Sequence, residues 1–158
     1  MKRQTDKWFI GYVSEFGCFY LDLVYYLPIW LGMPEPLYRA LNELWEKGIE
    51  LGCISGDLNN DGDLDDVGEA CIGTTEQKNK LLELAGIPCI YEGTKSVDYK
   101  IKEDEYAIAE MFNAATGYIH FVVIDHKRNI VYDSIKNSVT ARDGKIISIR
   151  IIRRIKVK

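Results

Sequence analysis

Histidine, proline and cysteine are scarce in this chain, at two, four and four residues of 158. Cys18, Cys53, Cys71 and Cys89 are widely spaced and form no CxxC pair, which argues against a structural zinc site. The opening MKRQTDKWFIGY lacks the apolar core of a secretory signal, so the expected compartment is cytoplasmic and the thiols are expected reduced. A Cys53–Cys71 bridge is expected only under oxidising conditions. Long apolar runs are missing too: the stretch from Phe19 to Leu31 is broken by Asp22 and Pro28 and is too short for a bilayer, so no membrane partner is expected. A basic excess is also absent. The net charge of −4 argues against a general nucleic-acid binder, which needs cations to displace counterions from phosphates. No internal repeat, low-complexity tract or long linker divides the chain.

What is present suits one compact domain over residues 1–158. Hydrophobic residues make up 47% and charged residues 28%, ordinary for a globular chain of a size that buries a core without metals or disulfides. Ten tyrosines suit either a groove for peptide or sugar or plain packing.

The spacing predicts helices before strands. FYLDLVYYLPIWLG reads as helical until Pro28 disturbs it, and residues 34–52 carry Leu37, Leu41, Leu44 and Trp45 at helical spacing. TTEQKNKLLELAG opens with Thr74 three before Gln77, a capping-box pattern, and closes at Gly86. Residues 87–91 read as a short strand, 92–104 as a further strand, and EDEYAIAEMFNAATG as a helix. The C-terminal KIISIRIIRRIKVK places Ile147, Ile149 and Ile151 on one face of a strand, with a solvated cationic face opposite that protects a sheet edge. Helices first and a mainly antiparallel sheet later predict an α+β fold.

The chemistry-bearing residues are Cys18, His120 and Asp133, in that order. Cys18 follows the turn-former Gly17 and opens the apolar run, where a helix N-terminus favours thiolate and its free N–H groups can hold an oxyanion. GYIHFVVIDHKRNIVYDSI reads as a hairpin with Lys127 and Arg128 at its tip. A two-residue turn pairs Val122 with Asp133 and His120 with Ile135, so His120 and Asp133 become diagonal neighbours on one face. A turn of odd length would flip that parity. A carboxylate on the imidazole fixes its tautomer and leaves the other nitrogen to take the thiol proton. His126, at the tip, is the weaker base.

EFGCFYLDLVYY, GYIHFVVID and IVYDS together resemble the papain-like superfamily, particularly the small C39-like peptidases of bacterial and phage type. They also resemble an uncharacterised family of small spirochaete and phage-associated proteins with a GC motif near the N-terminus and an HFVV strand near the C-terminus. The resemblance spans most of the chain. It implies a Cys-bearing helix packed on a mainly antiparallel sheet carrying His and Asp, with Cys18 as nucleophile, His120 as general base and Asp133 as the orienting residue. It further implies a cysteine peptidase or amidase acting on a peptide or protein through a thioester, with no cofactor required. The position upstream of the Cys that papain-like enzymes fill with an oxyanion-hole Gln is Tyr12 here. That departure favours the alternative of a catalytically silent binding or phage-accessory module on the same fold.

A second candidate site lies in DLNNDGDLDDVG, residues 57–68. Asp57, Asn59 and Asp61 match the first alternating ligands of an EF-hand-like calcium loop, followed by Gly62 at the sharp turn and Leu64 as apolar anchor, with Asp63 and Asp65 nearby. Gly68 stands where the bidentate Glu belongs, and Glu69 falls one place late. Weak, structural Ca2+ binding is therefore one reading and a solvated Asx-rich turn the other.

Overall fold

The computed structural model of the protein describes residues 1–9, 17–55, 72–135 and 138–155. In chain order these form helices α1 (Cys18–Leu21), α2 (Leu27–Trp30), α3 (Tyr38–Glu50) and α4 (Thr75–Leu84), strands β1 (Cys89–Lys95), β2 (Glu105–Asn113), β3 (Tyr118–Ile124) and β4 (Ile130–Tyr132), helix α5 (Val139–Asp143) and strand β5 (Lys145–Arg154). The strands make one antiparallel sheet in the order β1-β5-β2-β3-β4, so the fold is α+β. Among the described residues no helix is long and apolar enough to cross a membrane.

The apolar run after Gly17 stays helical through Trp30, but only by changing its winding. A π-helical turn, Asp22–Tyr26, joins α1 to α2. Pro28 would clash with the carbonyl four residues back in a regular α-helix, whereas within the first turn of α2 its missing N–H costs little. Phe19, Leu21, Leu23, Tyr25 and Leu27 are all fully buried, as suits a helix apolar on nearly every side.

Helix α3 buries Leu41, Trp45 and Gly48 in one stripe, with Gly48 allowing close approach of Ile54. Leu37, expected in that stripe, is instead the N-cap and 69% exposed. Helix α4 has the expected capping box, the Thr74 hydroxyl accepting from Gln77 N–H at 3.0 Å. It stops where Gly86 takes a positive φ and the Ile87 N–H returns to the Leu82 carbonyl.

Three sequence expectations are corrected by the sheet. EYAIAEMFN is strand β2, not a helix: its Ala, Glu and Met favour helix, yet Tyr106 and Ile108 enter one core while Ala107, Ala109 and Met111 enter the other. A strand buried on both faces hides the alternation that marks half-buried strands. Residues 92–95 continue β1 and residues 96–104 are a connection, so no separate strand forms there. Strand β5 is an interior strand, between β1 and β2, and two of its four cations are paired across the sheet: Arg150 is buried against Glu110 at 3.4 Å, and Arg153 meets Glu105 at 2.8 Å, while Lys145 and Arg154 are exposed.

The sheet has a core on each side. Phe121, Val123, Tyr132, Tyr106 and Ile152 pack with the helices. Val122, Ile124, Ala107, Ala109, Met111, Ile149 and Ile151 face Ile101, Tyr99 and Ala141 of α5.

Candidate active site

The geometry of the site is set by the hairpin β3–β4. The expected two-residue turn does not form. A longer loop over Asp125–Asn129 takes its place, closed by Asp125 accepting from Lys127 and Asn129 N–H groups and by a positive φ at Arg128. That loop is odd in length, and alone it would turn Asp133 away from His120. A bulge cancels the error. Ile124 pairs with Ile130 but Val123 pairs with Tyr132, so Val131 is an extra residue on β4 and the register beyond it returns to the expected one.

His120 and Asp133 consequently meet. The ring Nε2 lies 2.6 Å from Asp133 Oδ1, with side chains 5% and 15% exposed. The same carboxylate oxygen accepts the Ile135 N–H at 2.9 Å, and Arg3 donates to the Asp133 carbonyl. Around the pair, the N-terminal segment is tied down alongside residues 132–134: Gln4 N–H donates to the Ser134 carbonyl at 2.7 Å, and the Tyr132 hydroxyl donates to the Lys2 carbonyl. With Nε2 engaged, Nδ1 is the ring nitrogen left for other chemistry.

Cys18 is buried at the start of α1, with Gly17 as its N-cap. Next to it, Phe19 packs edge-on against Phe121 at 5.2 Å between ring centres. Among the described residues β4 pairs with β3 only at Val123 and Ile124, which leaves the β3 edge at Phe121 to the helix start. There the sulfur meets backbone N–H groups of Phe121, Phe19 and Cys18 itself, each of which favours thiolate. Burial outweighs them, and Asp22 adds like-charge repulsion, so the thiol is pushed up to about 12. The helix start therefore holds a neutral thiol, where the sequence reading expected a lowered pKa.

The thiol and the imidazole approach consecutive residues of β3 from different directions. Phe121 turns toward the helices, and His120 keeps step with Val122 and Ile124 on the second core. Among the described residues no hydrogen bond joins the sulfur to the ring; the connection between them is the Phe121 backbone at the strand edge.

Asp22 is the group that sequence reasoning missed. One helical turn after Cys18, it is fully buried, neither carboxyl oxygen has a hydrogen-bond partner among the described residues, and it lies close enough to Asp133 for the two charges to repel. Burial first, and then Asp133, hold its carboxyl well above the usual range. The available signal was an acid interrupting an otherwise apolar run, which sequence reading counts only as a break.

The other predicted residues are accounted for as follows. Asp57, Asn59, Asp61, Asp63 and Asp65 of the acidic loop lie outside the described residues, as do Tyr12 and Cys71. Cys18, Cys53 and Cys89 are free thiols. His126 sits on the loop, 3.5 Å from Glu103. Among the described residues no cluster of three or more His, Cys, Asp or Glu side chains is grouped to hold a metal ion.

A family model described as "protein of unknown function, DUF261" matches residues 77–154. The matched stretch runs from within α4 to the end of β5; it contains the whole sheet with His120 and Asp133, and it stops short of the helix that carries Cys18 and Asp22. No curated protein and no solved structure matches the chain.

Proposed function

We propose that the protein is a cysteine hydrolase on a papain-like variant of its α+β fold, cleaving an amide or peptide bond in a peptide or protein substrate. Cys18 is the nucleophile, His120 the general base and Asp133 the residue that orients the base. The observation that carries this reading is the buried 2.6 Å contact from His120 Nε2 to Asp133 Oδ1, one residue along β3 from the N–H that meets the Cys18 sulfur.

The carboxylate holds the ring proton on Nε2 and leaves Nδ1 as the acceptor. Sulfur attacks the carbonyl carbon as its proton passes to Nδ1, and the carbonyl electron pair moves onto oxygen, facing backbone N–H groups at the helix start. Collapse breaks the C–N bond, and the leaving amine takes the proton from the imidazolium. Water then attacks the thioester, giving a proton to Nδ1; the acid departs, and that proton returns to sulfur. Because Cys18 is neutral at rest, proton transfer must accompany attack, and the ring must close on the sulfur when substrate binds.

A second reading, a catalytically silent binding module, is favoured by the raised thiol and by the lack, among the described residues, of a sulfur-to-ring hydrogen bond. Alkylation of Cys18 by iodoacetamide, followed by peptide mass spectrometry, separates the two. The hydrolase reading expects the neutral-pH rate to fall by about a hundredfold or more in His120→Ala, at the low end of what a general base supplies. An unchanged rate in a folded His120→Ala protein refutes the base assignment and selects the silent module.

A further inference from the structure

A carboxyl buried with neither hydrogen bond nor counter-ion is costly as an anion and keeps its proton instead. Among the described residues Asp22 is in that position, and its setting is specific. It opens the π-helical turn, a distortion found often at functional sites, and its backbone carbonyl is held by the Tyr106 hydroxyl from β2. Along the helix it lies one turn from Cys18. From the sheet, Asp133 just after β4, itself bonded to His120, and the phenols of Tyr106 and Tyr132 lie near enough to interact with its charge. Arg3 donates to the Asp133 carbonyl and not to the Asp22 carboxyl.

We propose that Asp22 is a fourth functional group of the site, a positioning residue whose un-ionised carboxyl lets Cys18 surrender its proton and whose ionisation opposes that step. The proposal rests on the hydrolase reading only in taking Cys18 as the reactive group. While Asp22 is neutral, the thiolate forms beside a dipole. Once Asp22 is an anion, the same thiolate forms beside a like charge, and Asp133 loses part of its own stabilisation as the partner of His120. The site therefore works below the ionisation of Asp22 and weakens above it, which gives the hydrolase an alkaline limit not set by His120.

Iodoacetamide alkylation of Cys18 across pH tests this in the parent and in Asp22→Asn, a neutral replacement of the same shape. The two profiles coincide at lower pH, where Asp22 is neutral in the parent. Above its ionisation the parent lags, and the separation reaches about tenfold, the effect of moving a thiol pKa by one unit. Profiles that coincide throughout, or that differ by a constant factor at every pH, overturn the proposal; the constant factor is what a merely structural role produces. Should Asp22→Asn not fold, infrared spectroscopy of the parent across pH decides: the carbonyl stretch of a protonated carboxyl is expected to persist above the usual carboxylate range, and its loss within that range overturns the assignment. The His120→Ala profile tells the two readings apart, since the hydrolase reading fails there without affecting the Asp22 comparison.

Discussion

A double-mutant cycle on His120 and Asp133 interrogates the site without needing a substrate. The two side chains are 5% and 15% exposed and meet at 2.6 Å. A hydrogen bond to a charged group contributes about 1.5–3 kcal/mol, and the partial exposure of Asp133 places this one toward the lower end. Asp133→Ala also strips the Ile135 N–H of its acceptor, for a further loss of about 1 kcal/mol. The single substitution should therefore cost about 3 kcal/mol, lowering Tm by about 2–4 °C per kcal/mol in a chain of this length. His120→Ala loses the same contact together with the packing of a buried ring. Because the contact can be lost only once, the double variant should be more stable than the sum of the singles predicts, by about 1.5 kcal/mol or more. Urea unfolding of the four proteins at pH 7, each fitted with its own slope, reads this directly. Additivity within about 0.5 kcal/mol would show that the ring and the carboxylate do not form the pair described, and the bulge-restored register would fall with it.

Glu105, whose side chain is 1% exposed, gives a pH test. Burial raises its pKa, but the Lys102 N–H, the Tyr99 hydroxyl and Arg153 outweigh burial and hold it below the usual carboxylate value of 4.5. A depressed folded pKa contributes stability that is present above the unfolded value and lost as pH falls through the folded one. Glu105→Gln should thus be less stable than the parent at pH 7, with the gap in chemical-denaturation midpoint closing below pH 4.5; a gap independent of pH would contradict the ion pair. Gly144 tests packing: a Cβ there would overlap the Thr140 carbonyl oxygen and stand 3.0 Å from that of Phe112, both backbone atoms that cannot swing aside. Gly144→Ala should destabilise by about 1–3 kcal/mol in thermal or urea unfolding, and an unchanged midpoint would count against the seating of α5 on β2.

Much of the local structure was legible because local rules decided it. Thr74 and Gln77 announced the start of α4 and Gly86 its end, and the apolar spacing of Leu41 and Trp45 announced the inner face of α3. Strand β2 was not legible, since its side chains prefer helix and both its faces are covered, leaving no polar face to mark the period. Arg150 misled for a related reason: a cation in a strand reads as solvated unless its partner is known, and Glu110 lies on another strand. The candidate site was legible in part. The pairing of His120 with Asp133 was anticipated through a two-residue turn that does not exist, and it holds because Val131 bulges, a compensation that no local signal announces. Cys18 was expected at a helix start and is there, but the depth of its burial and the influence of Asp22 depend on the sheet packed over them.

The strand order has a consequence for how the chain acquires its shape. Strand β5 follows the other four strands in the chain and sits between β1 and β2, so that Cys89 at the start of β1 pairs with Arg154 at the far end of β5. During synthesis β1 has no neighbour in the described sheet until β5 has left the ribosome, and β2 has only β3. Folding must then wait on closure of a long loop, the kind of event that makes proteins rich in distant pairings slow to fold. A nascent chain halted before β5 would leave both edges of β1 and one edge of β2 unpaired in the described sheet, a surface suited to chaperones or to self-association.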